Sequence, residues 1–215
     1  MSQPHHDDTR ERILDQAEAL FADKGFDGVT VRQITTAART NLAAVNYHFG
    51  SKQKLYLAVF AERWLPRARR VLDRLKALEE RGGAALDEVI RTLAEAFLLK
   101  FDDEQERWRH YRLIHQEMSH PSPALDFILE NATRPAFNTL MRLMRPHLDP
   151  GLDDQRLMHC VMSVFAQVLH FNFGRGMTEM ITGKRYTRQS VGELVEHIVQ
   201  FSLRGLQGMG KGEAE

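Results

Sequence analysis

The stretch TVRQITTAARTNLAAVNYHFGSKQKL, Thr30 to Leu55, decides how this chain folds. Thr30, followed three positions later by Gln33, has the form of a capping box. The Thr hydroxyl accepts from the Gln33 amide and the Gln side chain reaches back to the Thr30 N–H. Val31, Ile34, Ala37 and Ala38 then recur at helical spacing. Arg39-Thr40-Asn41 interrupts the pattern with polar residues that favour turns and caps. A second apolar stripe follows at Leu42, Val45 and Phe49, and Gly50-Ser51 ends that helix and caps the next. Two helices of about eight residues joined by a turn of three or four predict a helix-turn-helix, whose second helix lies in the major groove of duplex DNA.

Charge points the same way. The stretch holds Arg32, Arg39, Lys52 and Lys54 and no acidic residue, in a chain with 29 Lys plus Arg and 29 Asp plus Glu. A balanced chain with one acid-free window suits a localised phosphate-facing surface rather than a whole-protein polyanion binder. On the second helix Leu42, Val45 and Phe49 are expected to face the core. Asn41, Ala43, Ala44, Asn46, Tyr47 and His48 occupy the other side. Asn suits a bidentate contact to adenine and Ala suits a thymine methyl. Tyr47, His48, Thr30, Thr40 and Lys52 suit phosphate oxygens, and the first-turn amides after Thr30 and Ser51 favour anions. Thr30, Arg32, Thr40, Asn41, Leu42, Ala43, Asn46, Tyr47, His48 and Lys52 make up the candidate DNA-contact set.

The first 60 residues resemble the TetR family of bacterial transcriptional regulators. The match lies in RERILDQAEALFADKGFDG, VTVRQITTAA and NLAAVNYHFGSKQKLY, and most specifically in Tyr47-His48-Phe49-Gly50-Ser51-Lys52. The resemblance implies that the second helix reads the major groove while Tyr47, His48 and Lys52 hold the backbone. Many members carry Gly where Ala43 stands and a hydroxyl or Lys where Leu42 stands, so the base-reading pattern does not carry over. The wording NLAAVNYHFGSK also resembles a branch that includes fatty-acid-responsive members.

The chain is long enough to bury a full core in one or two domains. Its 7 Pro and 14 Gly leave long helical periodicities intact, and no alternating strand pattern is present. No apolar run reaches the ~18 residues of a membrane span, and the N-terminus lacks a signal peptide's apolar region. A single cysteine, Cys160, excludes an intrachain disulfide framework. An all-α cytoplasmic protein of about nine helices is expected, with residues 1–55 as the DNA-binding domain and 56–215 as a ligand-binding and dimerisation domain.

Along the chain, residues 1 to 8 read as a frayed arm and the first helix starts near Thr9. From Ser51 a helix runs to about Arg81, with a kink expected where Pro66 can neither donate to the Glu62 carbonyl nor avoid it. Arg67, Arg69, Arg70 and Arg74 read as a solvated face. Helices are expected near 84–101, 107–119, 124–144 (kinked at Pro135), 153–173 and 188–206, with 175–187 as a connector. Residues 153–173 are apolar on more than one side. By resemblance, 153–173 and 188–206 form a four-helix homodimer interface, which gives two reading heads on two half-sites.

The body supplies the candidate ligand pocket. Phe97, Phe101, Trp108, Tyr111, His115 and Met118 form its first half. Phe127, Met141, Met162, Phe165 and Phe173 form its second. Such residues suit an apolar or aromatic effector, such as an acyl compound or a drug-like molecule. Neither a cofactor nor a metal is expected: His110, His115 and His120 are five apart and diverge around a helix, and no His-Glu-x-x-His occurs. An enzyme using His115 and Glu117 would lack a phosphate loop, a nucleophile motif and a metal set. A ligand-blind architectural binder would need no helical body of this size. The sequence is therefore read as a dimeric repressor that a small molecule releases from a palindromic operator.

Overall fold

The computed structural model describes residues 4–99 and 104–208. Among these there are helices and no strands. They are α1 (Pro4–Lys24), α2 (Val31–Ala37), α3 (Leu42–Phe49), α4 (Lys52–Val59), α5 (Leu65–Arg81), α6 (Leu86–Leu98), α7 (Glu104–Ser119), α8 (Pro123–Ile128), α9 (Arg134–Met144), α10 (Asp154–Phe173), α11 (Arg175–Thr182) and α12 (Arg188–Gly208). A π-turn, Phe60–Trp64, joins α4 to α5, and a second, Leu129–Thr133, joins α8 to α9. Each ends two residues before a proline, Pro66 or Pro135. The expected kinks therefore take the form of widened turns. The Leu65 amide bonds Phe60 O, five residues back, which moves the ladder away from the carbonyl that the proline ring would strike.

Two expectations of local structure are corrected. Helix α1 begins at Pro4 rather than near Thr9; proline suits a first turn, whose amides have no intrahelical partner. The connector at 175–187 contains α11, closed by Gly183 in the left-handed conformation.

The chain forms two compact units. The first comprises residues 1–68 and 103–132, described from residue 4 and from residue 104. Ile13, Leu14, Ala17 and Phe21 recur on one side of α1 and are fully buried. They meet Ile34 of α2, Val45 and Phe49 of α3, and Leu55, Tyr56 and Val59 of α4 in one cluster. Gly25 ends α1 at φ 70, its amide bonding Phe21 O at 2.9 Å. Phe26 folds back so that its ring lies 4.9 Å from that of Tyr56, which also meets Phe21 edge-on at 4.7 Å. Leu113 of α7 and Ala124 and Ile128 of α8 complete the same core. Packing thus divides the chain differently from the sequence division at residue 55: residues 104–132 join the core behind the helix-turn-helix.

Electrostatics reinforce this unit. Each described carboxylate of α1 faces an arginine: Asp8 meets Arg12, Glu11 and Asp15 meet Arg63, Glu18 meets Arg67 at 2.6 Å, and Asp23 meets Arg112. Arg10 pairs with Glu62. The Glu18 carboxylate is buried, so Arg67 is a partner to a desolvated charge and not part of a solvated face. Exposed pairs of this kind contribute little individually.

One buried polar network joins α4, α7 and the start of α8. Tyr56 donates its hydroxyl to Glu117 Oε1 at 2.6 Å, and the Ser122 hydroxyl and amide donate to the same carboxylate at 2.8 and 3.1 Å. Burial, and then the hydrogen bond to Glu117, push the Tyr56 phenol well above its ordinary range. An unfolded tyrosine loses its proton near pH 10, whereas the folded one keeps it. Tyr56 therefore stabilises the fold fully below about pH 10, and this contribution is lost as pH rises further. Tyr56→Phe is expected to remove about 1.4 kcal/mol per pH unit from the alkaline fall in stability, read by urea unfolding on either side of pH 10.

The second unit comprises residues 69–102 and 133–215, described to Leu99 and Gly208. Helix α6 is central, burying Val89, Ile90, Leu93 and Leu98 against α12 (Val195, Ile198, Val199) and α10 (Leu157, Val161, Val164). Arg91–Glu196 and Arg142–Glu79 ion pairs clip its rim. Cys160 is buried in this core, which pushes its thiol up. Met162, Met177, Met180, Ile181 and Phe201 are exposed on α10, α11 and α12.

Candidate nucleic-acid interface

The capping box at Thr30 is formed as the sequence predicts. The Thr30 amide donates to Gln33 Oε1 at 2.7 Å and the Gln33 amide to Thr30 Oγ1 at 3.2 Å. The Thr30 hydroxyl also lies 3.0 Å from Gln33 Oε1, so this residue's polar groups already serve the helix end. Helix α2 closes with Ala38 N–H on Ile34 O and Thr40 N–H on Thr35 O, and Arg39 sits between them at φ 52. Asn41 then caps α3, its Oδ1 accepting from the Ala44 amide at 3.0 Å. At the far end Gly50 turns the chain at φ 78 and Ser51 Oγ accepts from the Lys54 amide at 3.1 Å.

These caps fix the roll of α3. Val45 and Phe49 are buried while Ala43, Asn46 and Tyr47 face out, Tyr47 at 74% exposure. One sequence expectation is corrected: Leu42, read as a core residue of α3, is 55% exposed. As the first residue of the helix it projects beyond the core, and half-buried Ala44 and His48 flank the true inner face. Arg32 and Asn41 are exposed and Thr40 is half-buried. Lys52 holds its ammonium 4.2 Å over the Phe26 ring, and the rings of Tyr47 and His48 meet edge-on at 5.1 Å. From residue 28 to residue 61 the sequence has no acidic residue. The surface is therefore a polar and basic flank on two rigidly capped short helices, the geometry that groove readers use.

The candidate ligand residues separate. Trp108, Tyr111 and His115 of α7 line a cleft of about 240 Å³ with Ala22, Asp23, Arg112 and Gln116. Met118, on the same helix, is 74% exposed, and Phe127 packs against the first unit's core. In the second unit Phe165 meets Phe97 and Phe137 edge-on at 5.6 and 5.1 Å, and Met141 packs against the same core. Met162 is 52% exposed and Phe173 half-buried at the end of α10. Phe101 lies outside the described residues. His115 and Glu117 do not meet: His115 is exposed at the cleft and Glu117 is buried with Tyr56 and Ser122. Among the described residues no group of three or more His, Cys, Asp or Glu could hold a metal ion.

Residues 13–59 match the family model described as bacterial regulatory proteins, tetR family. Residues 86–206 match that described as the C-terminal domain of the HTH-type transcriptional dual regulator CecR. The chain is 25% identical over 197 residues to CecR of Shigella flexneri, spanning 88% of this chain and 87% of that protein. It is 32% identical over 105 residues to the HTH-type transcriptional repressor AcnR of Corynebacterium efficiens, spanning 49% and 47%. Among solved structures it resembles HlyIIR, a hemolysin II transcriptional regulator, with a TM-score of 0.63, 18% identity, and coverage of 91% and 97%.

Proposed function

Since the chain belongs to the TetR family and carries the CecR-type C-terminal domain over residues 86–206, it is a DNA-binding transcriptional regulator, and we propose that it acts as a dimeric repressor released from a palindromic operator by a small apolar or aromatic effector. The observation that carries the DNA-facing part is the acid-free flank running from exposed Arg32, Asn46 and Tyr47 to half-buried Lys52. In this reading residues 1–55 contact the operator and 56–215 hold the effector and the dimer contacts. The exposed apolar side chains Met162 and Phe201, on α10 and α12, support self-association through those helices. The aromatic wall of Trp108 and Tyr111 supports an aromatic effector, with Asp23, Arg112, His115 and Gln116 as the polar groups of the same cleft. No single described helix is long and apolar enough to cross a membrane, and the reading places the protein with DNA in the cytoplasm.

Repression is supported by the description of AcnR as a repressor. The description of CecR, which aligns with more of the chain, as a dual regulator favours a second reading, activation at some promoters. Selecting bound fragments from random duplex DNA, then screening acyl and aryl compounds for release, tests the proposal. A reporter under the selected fragment gives the sign. A protein with no preference among fragments at moderate salt would overturn it.

Two substitutions separate positioning from readout. Lys52→Ala is expected to weaken all duplexes alike and to reduce the log–log salt slope by about 0.9 per head. Asn46→Ala is expected to cost about 1–3 kcal/mol on the selected fragment alone, relaxing preference at one base pair. Fluorescence anisotropy across a salt series reads both; an unchanged slope for Lys52→Ala removes the phosphate assignment.

A further inference from the structure

We infer that Arg39 is a phosphate-contacting residue of the reading head, held in an unfavourable backbone conformation for that purpose; this rests on the DNA-binding reading above. Among the described residues Arg39 is the one non-glycine at positive φ, 52. It occupies the left-handed position after the last turn of α2, where glycine is the usual occupant because a Cβ is penalised there. The chain uses glycine at its other left-handed positions, Gly25, Gly50, Gly82, Gly83 and Gly183.

Nothing inside the protein explains the exception. The Arg39 side chain is exposed, and it has no hydrogen-bond, ion-pair or ring partner among the described residues. Arg10, Arg12, Arg63 and Arg67 each face a carboxylate. The carbonyls of Ile34, Thr35, Thr36 and Ala38 do not need it either, since the Ala38, Thr40 and Arg39 amides and Arg12 Nε donate to them. Arg39 lies two residues before the Asn41 cap of α3, inside the acid-free run. The Arg39 and Thr40 amides close α2 on Thr36 O and Thr35 O at 3.2 and 2.9 Å, a turn that glycine would make at less cost, so the backbone accounts for the conformation and not for the arginine; non-glycine residues kept at such positions cluster at functional sites. An unpaired guanidinium fork beside a groove-reading helix fits a phosphate, which it can bind with two parallel hydrogen bonds. Placed on the turn and not on the outward face of α3, it would act on affinity for every sequence and leave base preference alone.

The test compares full-length Arg39→Gly, Arg39→Gln and Arg39→Lys with wild type, measuring melting temperature and binding to the selected and to a random duplex across a salt series. Arg39→Gly is expected to raise Tm by about 2–4 °C through relief of the left-handed residue. It should also weaken both duplexes about 3- to 10-fold and reduce the salt slope by about 0.9 per bound head. Arg39→Gln should lose the same slope with Tm unchanged, and Arg39→Lys should retain the slope. If Arg39→Gln keeps the wild-type slope, or if Arg39→Gly lowers Tm, the assignment falls. A wild-type protein that binds neither duplex removes the DNA-binding reading itself, and this inference with it.

Discussion

Phe21→Ala is expected to destabilise the first unit by about 3–5 kcal/mol and to abolish operator binding. The ring is fully buried on α1 and touches the rings of both Tyr56 and Phe26, against which Lys52 is placed. Truncation removes that apolar area from the core and leaves a cavity that the three facing helices cannot close, because caps at Thr30, Asn41 and Ser51 fix their ends. Thermal unfolding followed by circular dichroism gives the loss. A shift below about 1 kcal/mol would mean that α1 does not organise this core.

Glu117→Ala is expected to cost about 3 kcal/mol, a large value for one hydrophilic residue. It leaves the Tyr56 hydroxyl and the Ser122 amide and hydroxyl buried or half-buried without their acceptor. The double variant Tyr56→Phe/Glu117→Ala should recover part of the loss, since it removes one stranded donor. Chemical denaturation of the four proteins in the cycle gives the coupling. Strict additivity would mean that the hydrogen bond contributes nothing to the fold.

Much of this architecture was legible in the sequence because its signals are local. Val31, Ile34, Val45 and Phe49 repeat at helical spacing, and Thr30, Asn41 and Ser51 are cap residues at the right offsets. Pro66 and Pro135 marked both irregular turns, although spacing alone does not distinguish a π-turn from a simple bend. What escaped depends on distant partners. Glu117 is buried because Tyr56, 61 residues earlier, offers it a hydroxyl. Residues 104–132 join the first core through contacts with α1 and α4 that no local pattern encodes. Helix α11 escaped for the opposite reason: it buries no residue, so its stripe of Met177, Met180 and Ile181 had no core to identify it. Arg39 was legible as part of the turn, but arginine carries no signal for a left-handed residue, and only the backbone reveals that conformation.

The pairing of every described α1 carboxylate with an arginine has a kinetic consequence. The anionic groups of α1 are neutralised in place, so they subtract little from the field of Arg32, Arg39, Lys52 and Lys54 that an arriving duplex meets. A molecule with no net charge can therefore capture polyanions through rapid, orientation-selective encounters, and added electrolyte slows that capture more than it hastens escape.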